Sequence, residues 1–260
     1  MGRGFGIEAS VPVDIVRLIA AEAEALGYAS FWVNNPPGTD GLASLAAAAS
    51  VTERINLGVG VIPLDRHPAS EITATASRHA LPMDRLLLGI GSGGDPQGLD
   101  LVRHGVEHLH AETTASVIVS ALGPKMTQLA GAVADGVLFN WFTPGFERQS
   151  RDQVVTAARL AGRPQPLIMS YVRCGLLPQA QQKLEERSDR YAKIPQYARH
   201  FTRMGVSARE TCVSGADADA LQAGIAEHEQ VLDETIVRCI TADDTASSVL
   251  ELLRVCAPPR

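Results

Sequence analysis

Short runs of consecutive apolar residues alternate along this chain with longer stretches in which apolar residues recur every three or four positions. The short runs read as buried strands: FGIEA (5–9), SFWVN (30–34), INLGVGVIP (55–63), LLLGIG (86–91), VIVSAL (117–122), GVLFNW (136–141), LIMSYVRCG (167–175) and TIVRCI (235–240). The amphipathic stretches read as helices over 13–26, 42–50, 69–81, 99–112, 124–133 and 146–161, followed by a long helical region at 179–230 and a last helix at 246–255. Eight strands, each followed by helix, spell out an α/β fold of the TIM type, a (β/α)8 barrel. A doubly wound open sheet uses the same alternation and is the rival. The count of eight, and the lack of a Pro/Gly/Ser-rich linker, favour one closed barrel domain over 1–260. The region 179–230 is too long for one crossover helix and is expected to hold extra helices capping the barrel. In such barrels the C-terminal strand ends carry the active site.

Those strand ends supply Glu8, Asn34 with Asn35, Gly60 to Pro63, Gly91 to Gly94, Leu122 to Lys125, Asn140 with Trp141, and Tyr171 with Arg173. Few of these groups titrate near neutrality, and they make no Ser-His-Asp arrangement, acid pair or metal triad. A site rich in glycine and amide groups suits a cofactor that brings its own chemistry. GIGSGG (89–94) matches the dinucleotide pattern GxGxxG, but it stands in the fourth βα unit and not the first, so close approach of a ring to the backbone accounts for it better. The paired glycines of GVGVIP (58–63) mark either a bulge for a ligand or a tight barrel corner.

The segment ALGPKMTQLAG (121–131) starts a helix in an unusual way. Gly123 can cap it and Pro124 suits its first position, whereas Lys125 opposes the helix dipole at a cost of roughly 0.3–1 kcal/mol. Either an anion bound at the free amides reverses that sign, or Lys125 is a surface lysine reaching into solvent. His104, His108 and His110 lie on one helix with i, i+4 spacing that would permit a metal pair, but a solvated face is the simpler reading and no metal is expected. His67 and His200 fall nearer the expected mouth as weak acid/base or substrate-contact candidates.

Composition narrows the partners. A net charge of −6 without a basic cluster argues against nucleic acid or anionic membrane. No apolar run is long enough to span a bilayer, and the first residues run into a strand pattern without an apolar signal core, so a cytoplasmic protein is expected. Cys174, Cys212, Cys239 and Cys256 show no CxxC or zinc spacing and read as reduced, packed thiols. Whether the chain forms a homo-oligomer is left open.

At LGVGVIPLDRHP, RLLLGIGSG, ALGPKMTQLAGAVADGVLFNW and RYAKIPQYARHFTRMG the sequence resembles the bacterial luciferase-like oxidoreductases, (β/α)8 proteins that use FMN or the deazaflavin F420. The resemblance runs from about Phe5 to Ile240 in the family's order. It implies a ring stacked on the strand-three bulge at Gly60, Val61 and Ile62, often with a non-prolyl cis peptide, here Gly60–Val61. It implies cofactor contacts at Asn34 and at Gly91, Ser92 and Gly93, with phosphate contacts at Leu122, Gly123, Pro124 and Lys125; Asn140, a strand-end residue, is a further cofactor-contact candidate. PLDRHP, LGIGSGG and ALGPKMTQLAG look most like the F420-using branch, so F420 is the expected cofactor and FMN the alternative. F420 implies hydride transfer to or from a small organic substrate, placed near Tyr171, Arg173, Tyr191, Tyr197 and His200. FMN would leave a monooxygenase open. Two departures stand out: a short segment between strands four and five, and NNPPG after strand two, with no titratable group until Asp40. The catalytic acid or base is therefore unassigned, and a barrel that binds flavin without turnover is a further alternative.

Overall fold

The computed structural model describes residues 2–259. Eight strands close into a parallel barrel: β1 (Gly2–Ile7), β2 (Ser30–Val33), β3 (Asn56–Pro63), β4 (Leu86–Gly91), β5 (Ser116–Ser120), β6 (Gly136–Asn140), β7 (Leu167–Leu176) and β9 (Glu234–Cys239). The barrel is shut because β9 pairs on both sides, Val237 against Phe5 of β1 and Ile236 against Tyr171 of β7. An open sheet is thereby excluded. The helices α1 (Val13–Ala25), α2 (Gly41–Ala49), α3 (Ala69–Arg78), α4 (Gly98–Glu112), α5 (Pro124–Val133) and α6 (Pro144–Leu160) follow the first six strands, and α10 (Ala246–Val255) follows β9.

The stretch 179–230 departs from the all-helical expectation. It holds α7 (Gln181–Ala192), α8 (Pro195–Met204), a 3-10 turn (Ala208–Thr211), a short strand β8 (Val213–Gly215) and α9 (Ala218–Glu229). β7 is 10 residues long, and β6 accompanies it only as far as Tyr171. Its projecting end, Cys174 to Leu176, accepts β8 instead. A strand of 3 residues shows no period from which it could be read. α9 then serves as the crossover to β9, and among the described residues α7 and α8 are the extra α-helices.

Strand one also begins earlier than its apolar run suggests, because its inward positions are glycines. A Cβ on Gly4 would strike Ser30 and Glu234, and one on Gly6 would come within 3.2 Å of the Tyr171 ring. The outward Phe5 and Ile7 belong to the main core between barrel and helices. Inside, the space is filled from other strands by Trp32, Ile118, Leu138, Met169, Tyr171 and Ile236. The Trp32 indole N–H donates to Ser30 Oγ at 2.6 Å, and the Ser30 hydroxyl donates to the Glu234 carboxyl. Burial raises the Glu234 pKa in spite of those hydrogen bonds.

The extra helices dock on the end of β6. Trp141, with φ 63°, stands in the left-handed region and packs with Phe201 and Ala208. His200, fully buried, holds that turn: Nε2 lies 2.8 Å from the Trp141 carbonyl, while Nδ1 lies 2.8 Å from Arg203 Nη2. An arginine can only donate, so Nδ1 accepts and Nε2 carries the hydrogen. Burial first, and the Arg203 charge after it, lower the His200 pKa to about 4.

Two stability measurements follow. A methyl group on Gly58 would overlap the Trp32 indole. Gly58→Ala is expected to cost ~1–3 kcal/mol in denaturant unfolding and to shift the tryptophan emission; an unchanged midpoint would show that the indole has room to move. For His200, the unfolded chain takes up a proton near a pKa of ~6.5 whereas the folded chain resists it. Stability is therefore fully present above that value, falls as pH drops through the window, and levels off near pH 4. Unfolding of His200→Gln between pH 7 and 4 should lack ~1–3 kcal/mol of the wild-type loss.

Candidate functional site

At the C-terminal strand ends lies a cavity of 780 Å³, within the usual ligand range of roughly 300–1,000 Å³. One wall is the end of β3. Its register against β4 shifts between Val59 and Ile62, the Gly60–Val61 peptide is cis, and Gly60, Val61 and Pro63 face the cavity. The expected bulge is present. Ile62 is a correction: the shift breaks the inward-outward alternation, and its side chain is buried toward an outer groove with His67 and Ile72.

The adjoining wall is made by Gly91 at the end of β4 and by Ser92, Gly93 and Gly94 after it. Gly93 has φ 63°, and a side chain there would overlap Asp65. Asp65 Oδ2 accepts the Gly94 N–H at 2.9 Å and so fixes the turn. The start of α5 completes this wall through Ala121, Leu122, Gly123 and Met126. Among the described residues no backbone carbonyl takes the amide hydrogens of Gly123, Lys125 and Met126, the ordinary condition of a helix's first turn. A Cβ on Gly123 would meet nothing within 4 Å.

Pro124 and Lys125 are corrected in part. Both side chains are exposed, and Lys125 lines an outer groove with Leu99, Arg103 and Gln128. Successive helical residues are rotated by about 100°, so a start that turns Met126 inward turns Lys125 away. The backbone of this segment faces the cavity, and its lysine side chain does not. The cations at the mouth are instead Arg66 and Arg199, the latter from α8 beside Gln196. Nothing local in the sequence marks Arg199, whose position depends on how α8 docks.

Beside the cavity, a smaller chamber of 50 Å³ is lined by Asn34, Arg173, Arg187, Tyr191 and Arg238. Gly60, Asn140 and Tyr171 line both spaces and form the neck between them. Asn34 Oδ1 accepts the Ala9 N–H at 2.9 Å. Asn140 Oδ1 accepts from Arg173 Nη1 at 2.8 Å, and its Nδ2 donates to the Tyr197 hydroxyl at 3.2 Å. The Arg173 guanidinium lies 3.4 Å from the Trp141 ring centroid, and burial lowers its pKa to about 10, leaving it charged at neutrality. Burial pushes the Tyr171 hydroxyl up and the Tyr197 hydroxyl up to about 12. Glu8 Oε1 binds both Arg187 and Arg238, the latter at 3.1 Å. Burial alone would raise that carboxyl, but the two guanidiniums outweigh it and hold it below its ordinary value.

Tyr171, Arg173, Tyr191 and Tyr197 therefore come together as expected, whereas His200 does not. Both its nitrogens are engaged behind Trp141, and it lines neither the cavity nor the chamber. His67 lies 3.6 Å from Glu71 in the outer groove. His104 and His110 are exposed on α4, His110 paired with Asp135 at 2.9 Å, and among the described residues no cluster of His, Cys, Asp or Glu could hold a metal ion. The four cysteines are free thiols, three of them buried. Among the described residues no helix is long and apolar enough to cross a membrane.

Residues 4–115 match the luciferase-like monooxygenase family. A 5,10-methylenetetrahydromethanopterin reductase of Methanolobus tindarius is 28% identical over 198 residues, which are 61% of this chain and 60% of that protein. The match thus spans less than two thirds of the reductase. The coenzyme F420-dependent tetrahydromethanopterin reductase of Methanopyrus kandleri superposes with a TM-score of 0.77 at 14% identity, covering 97% of each chain. The oxygenating constituent of 3,6-diketocamphane monooxygenase from Pseudomonas putida, in complex with FMN, gives a TM-score of 0.73 at 12% identity over 99% of this chain and 97% of its own. The chain is a (β/α)8 protein, and it shares that fold with these oxidoreductases.

Proposed function

We propose that the protein is an F420-dependent oxidoreductase that moves a hydride to or from a small organic substrate. The observation that carries this reading is the cavity's glycine lining. Gly60, Gly91, Gly93, Gly94 and Gly123 stand where a large planar ligand and its phosphate would meet backbone. At Gly123 the space beside the chain is open, so protein packing does not explain its glycine. The residues present fit a ring on the Gly60–Val61 bulge and an anionic tail past Gly91 to Gly123. The free amides at the start of α5 would hold its phosphate, and Arg66 and Arg199 its acidic extension. When bound, a deazaflavin supplies a carbon that takes or gives hydride and does not readily activate oxygen.

The chain's own residues would do the rest. Asn34 and Asn140 offer amide groups beside the ring's position, Tyr171 and Trp32 close the barrel beneath it, and α8 covers the mouth against water. Solved neighbours of the same fold include F420-dependent enzymes and an FMN-bound monooxygenase, so the preference for F420 rests on the sequence resemblance at PLDRHP, LGIGSGG and ALGPKMTQLAG. An FMN-using monooxygenase is therefore the second reading.

Titrating the purified protein with F420 and, separately, with FMN distinguishes them by fluorescence. The expected result is saturable F420 binding and none with FMN; tight FMN binding without response to F420 overturns the choice, and no response to either overturns the flavin reading. Arg199→Glu should weaken F420 binding by about fivefold at low salt, the scale of one exposed charge contact, and less at high salt. Lys125→Glu, on the far side of α5, should change it by less than about twofold, since a screened charge outside contact distance contributes little. A large effect of Lys125→Glu would return that lysine to the phosphate site.

A further inference from the structure

The smaller chamber has more positive charge than the protein neutralises. Arg173, Arg187 and Arg238 line it, and none of its lining residues is acidic. Glu8, behind it, meets both Arg187 and Arg238 through one oxygen, Oε1. Arg173 is 6% exposed and makes no ion pair among the described residues. One face of its guanidinium is covered by Trp141 and its Nη1 is bound to Asn140, so the edge formed by Nε and Nη2 has no acceptor on the chain. Two residues that line the chamber also carry a buried polar atom without a partner, the Tyr171 hydroxyl and Arg187 Nε.

A buried cation without a counter-charge costs several kcal/mol, and buried donors without acceptors add ~1–3 kcal/mol each. A protein that keeps such a set facing one small space leaves it to a ligand to neutralise them. The size of the space restricts the ligand's end group. A volume of 50 Å³ holds little more than one water, whose share of liquid is ~30 Å³. A carboxylate fits that space, and its two coplanar oxygens match the free edge of a guanidinium whose face is blocked. A tetrahedral phosphate carries at least one more oxygen, which that volume does not accommodate.

We propose that this chamber is a carboxylate-binding subsite, with Arg173 as its specificity-determining residue, and that the substrate is a small organic acid anchored there. The assignment of this anion to a substrate rests on the hydride-transfer reading above. The remainder of the acid passes the neck at Gly60, Asn140 and Tyr171 into the larger cavity, where the reacting carbon would meet the ring. Arg187 and Tyr171 supply the second set of donors, and Arg238 keeps Glu8 turned away from the incoming anion.

The test uses the full chain without cofactor. Acetate, glycolate and pyruvate are titrated against it, with acetamide and inorganic phosphate as controls. Binding is followed by tryptophan emission, to which Trp141 contributes, and by thermal unfolding. Each carboxylate should give a saturable response and raise the Tm, and acetamide should do neither. Arg173→Gln should weaken carboxylate binding roughly 10- to 100-fold, the loss of a charged hydrogen-bond pair, while its Tm without ligand stays equal or rises. A guanidinium kept only for packing on Trp141 would show the opposite pattern: a lower Tm and unchanged binding. The proposal is overturned if no carboxylate gives a saturable response, if acetamide binds as well as acetate, if phosphate binds in place of the carboxylates, or if Arg173→Gln binds acetate like the wild type. Comparing acetate with acetamide on the wild type needs no variant to fold. Because no F420 is present, failure of the cofactor reading leaves this result intact. F420 binding weakened by Arg173→Gln, with no carboxylate response, would assign the guanidinium to the cofactor instead.

Discussion

The barrel depends on how its inner volume is shared. Two large rings, Trp32 and Tyr171, meet edge to face with centroids 5.9 Å apart, and the strands around them give way with glycine at Gly6, Gly58 and Gly60. Interiors pack to near-crystalline density, so a ring on one strand requires a small residue opposite. The glycines of β1 and β3 and the rings of β2 and β7 are thus one feature. From it follows the floor of the site. Tyr171 can rise to the neck between cavity and chamber only because Gly60 has no side chain, and Trp32 is fixed below by hydrogen bonds running through Ser30 to Glu234.

The same constraint explains which parts of the fold could be read from the sequence. Seven of the barrel strands announce themselves as apolar runs, and the eight-fold alternation is enough for the barrel. Strand one is legible only in its outer half, because Gly2, Gly4 and Gly6 carry no hydropathy signal while Phe5 and Ile7 do. β8 is invisible for a different reason. It exists because β7 outlasts β6, a matter of relative strand length that no window of local sequence contains.

The site divides along similar lines. Gly60, Val61, Gly91, Ser92, Gly93 and Gly123 line one cavity, and the sequence points to such a cluster because a strand end rich in glycine has few structural uses. Ile62 and Lys125 were misplaced by one step of local geometry, the bulge at one and the helical rotation at the other. Neither the alternation of a strand nor the capping of a helix tells which way the adjacent residue turns. His200 looked available as a base because it is a histidine near the mouth, but burial with Arg203 makes it a neutral support for the Trp141 turn. Arg187, Arg199 and Arg238 were missed since each reaches the site from a different element, and only the folded chain brings them together.

That convergence separates two kinds of surface within one opening. The larger cavity offers backbone amides and glycines, which suit recognition by shape and by the fixed dipole of a helix start. The smaller chamber offers guanidiniums, which suit recognition by charge. The division is built by two residues of one strand, Tyr171 and Arg173, which lie on the same face at i and i+2. Tyr171 ends the apolar interior, and Arg173, one step further out, begins the charged region. Trp141 makes that step possible. Its left-handed backbone, held by His200, lays an aromatic face along a buried cation that has no carboxylate beside it. A cation–π contact contributes roughly 0.5–2 kcal/mol, which is less than the cost of burying the charge. The remainder must come from the rest of the fold or from a bound anion, and strain of this kind is characteristic of positions kept for binding rather than for stability.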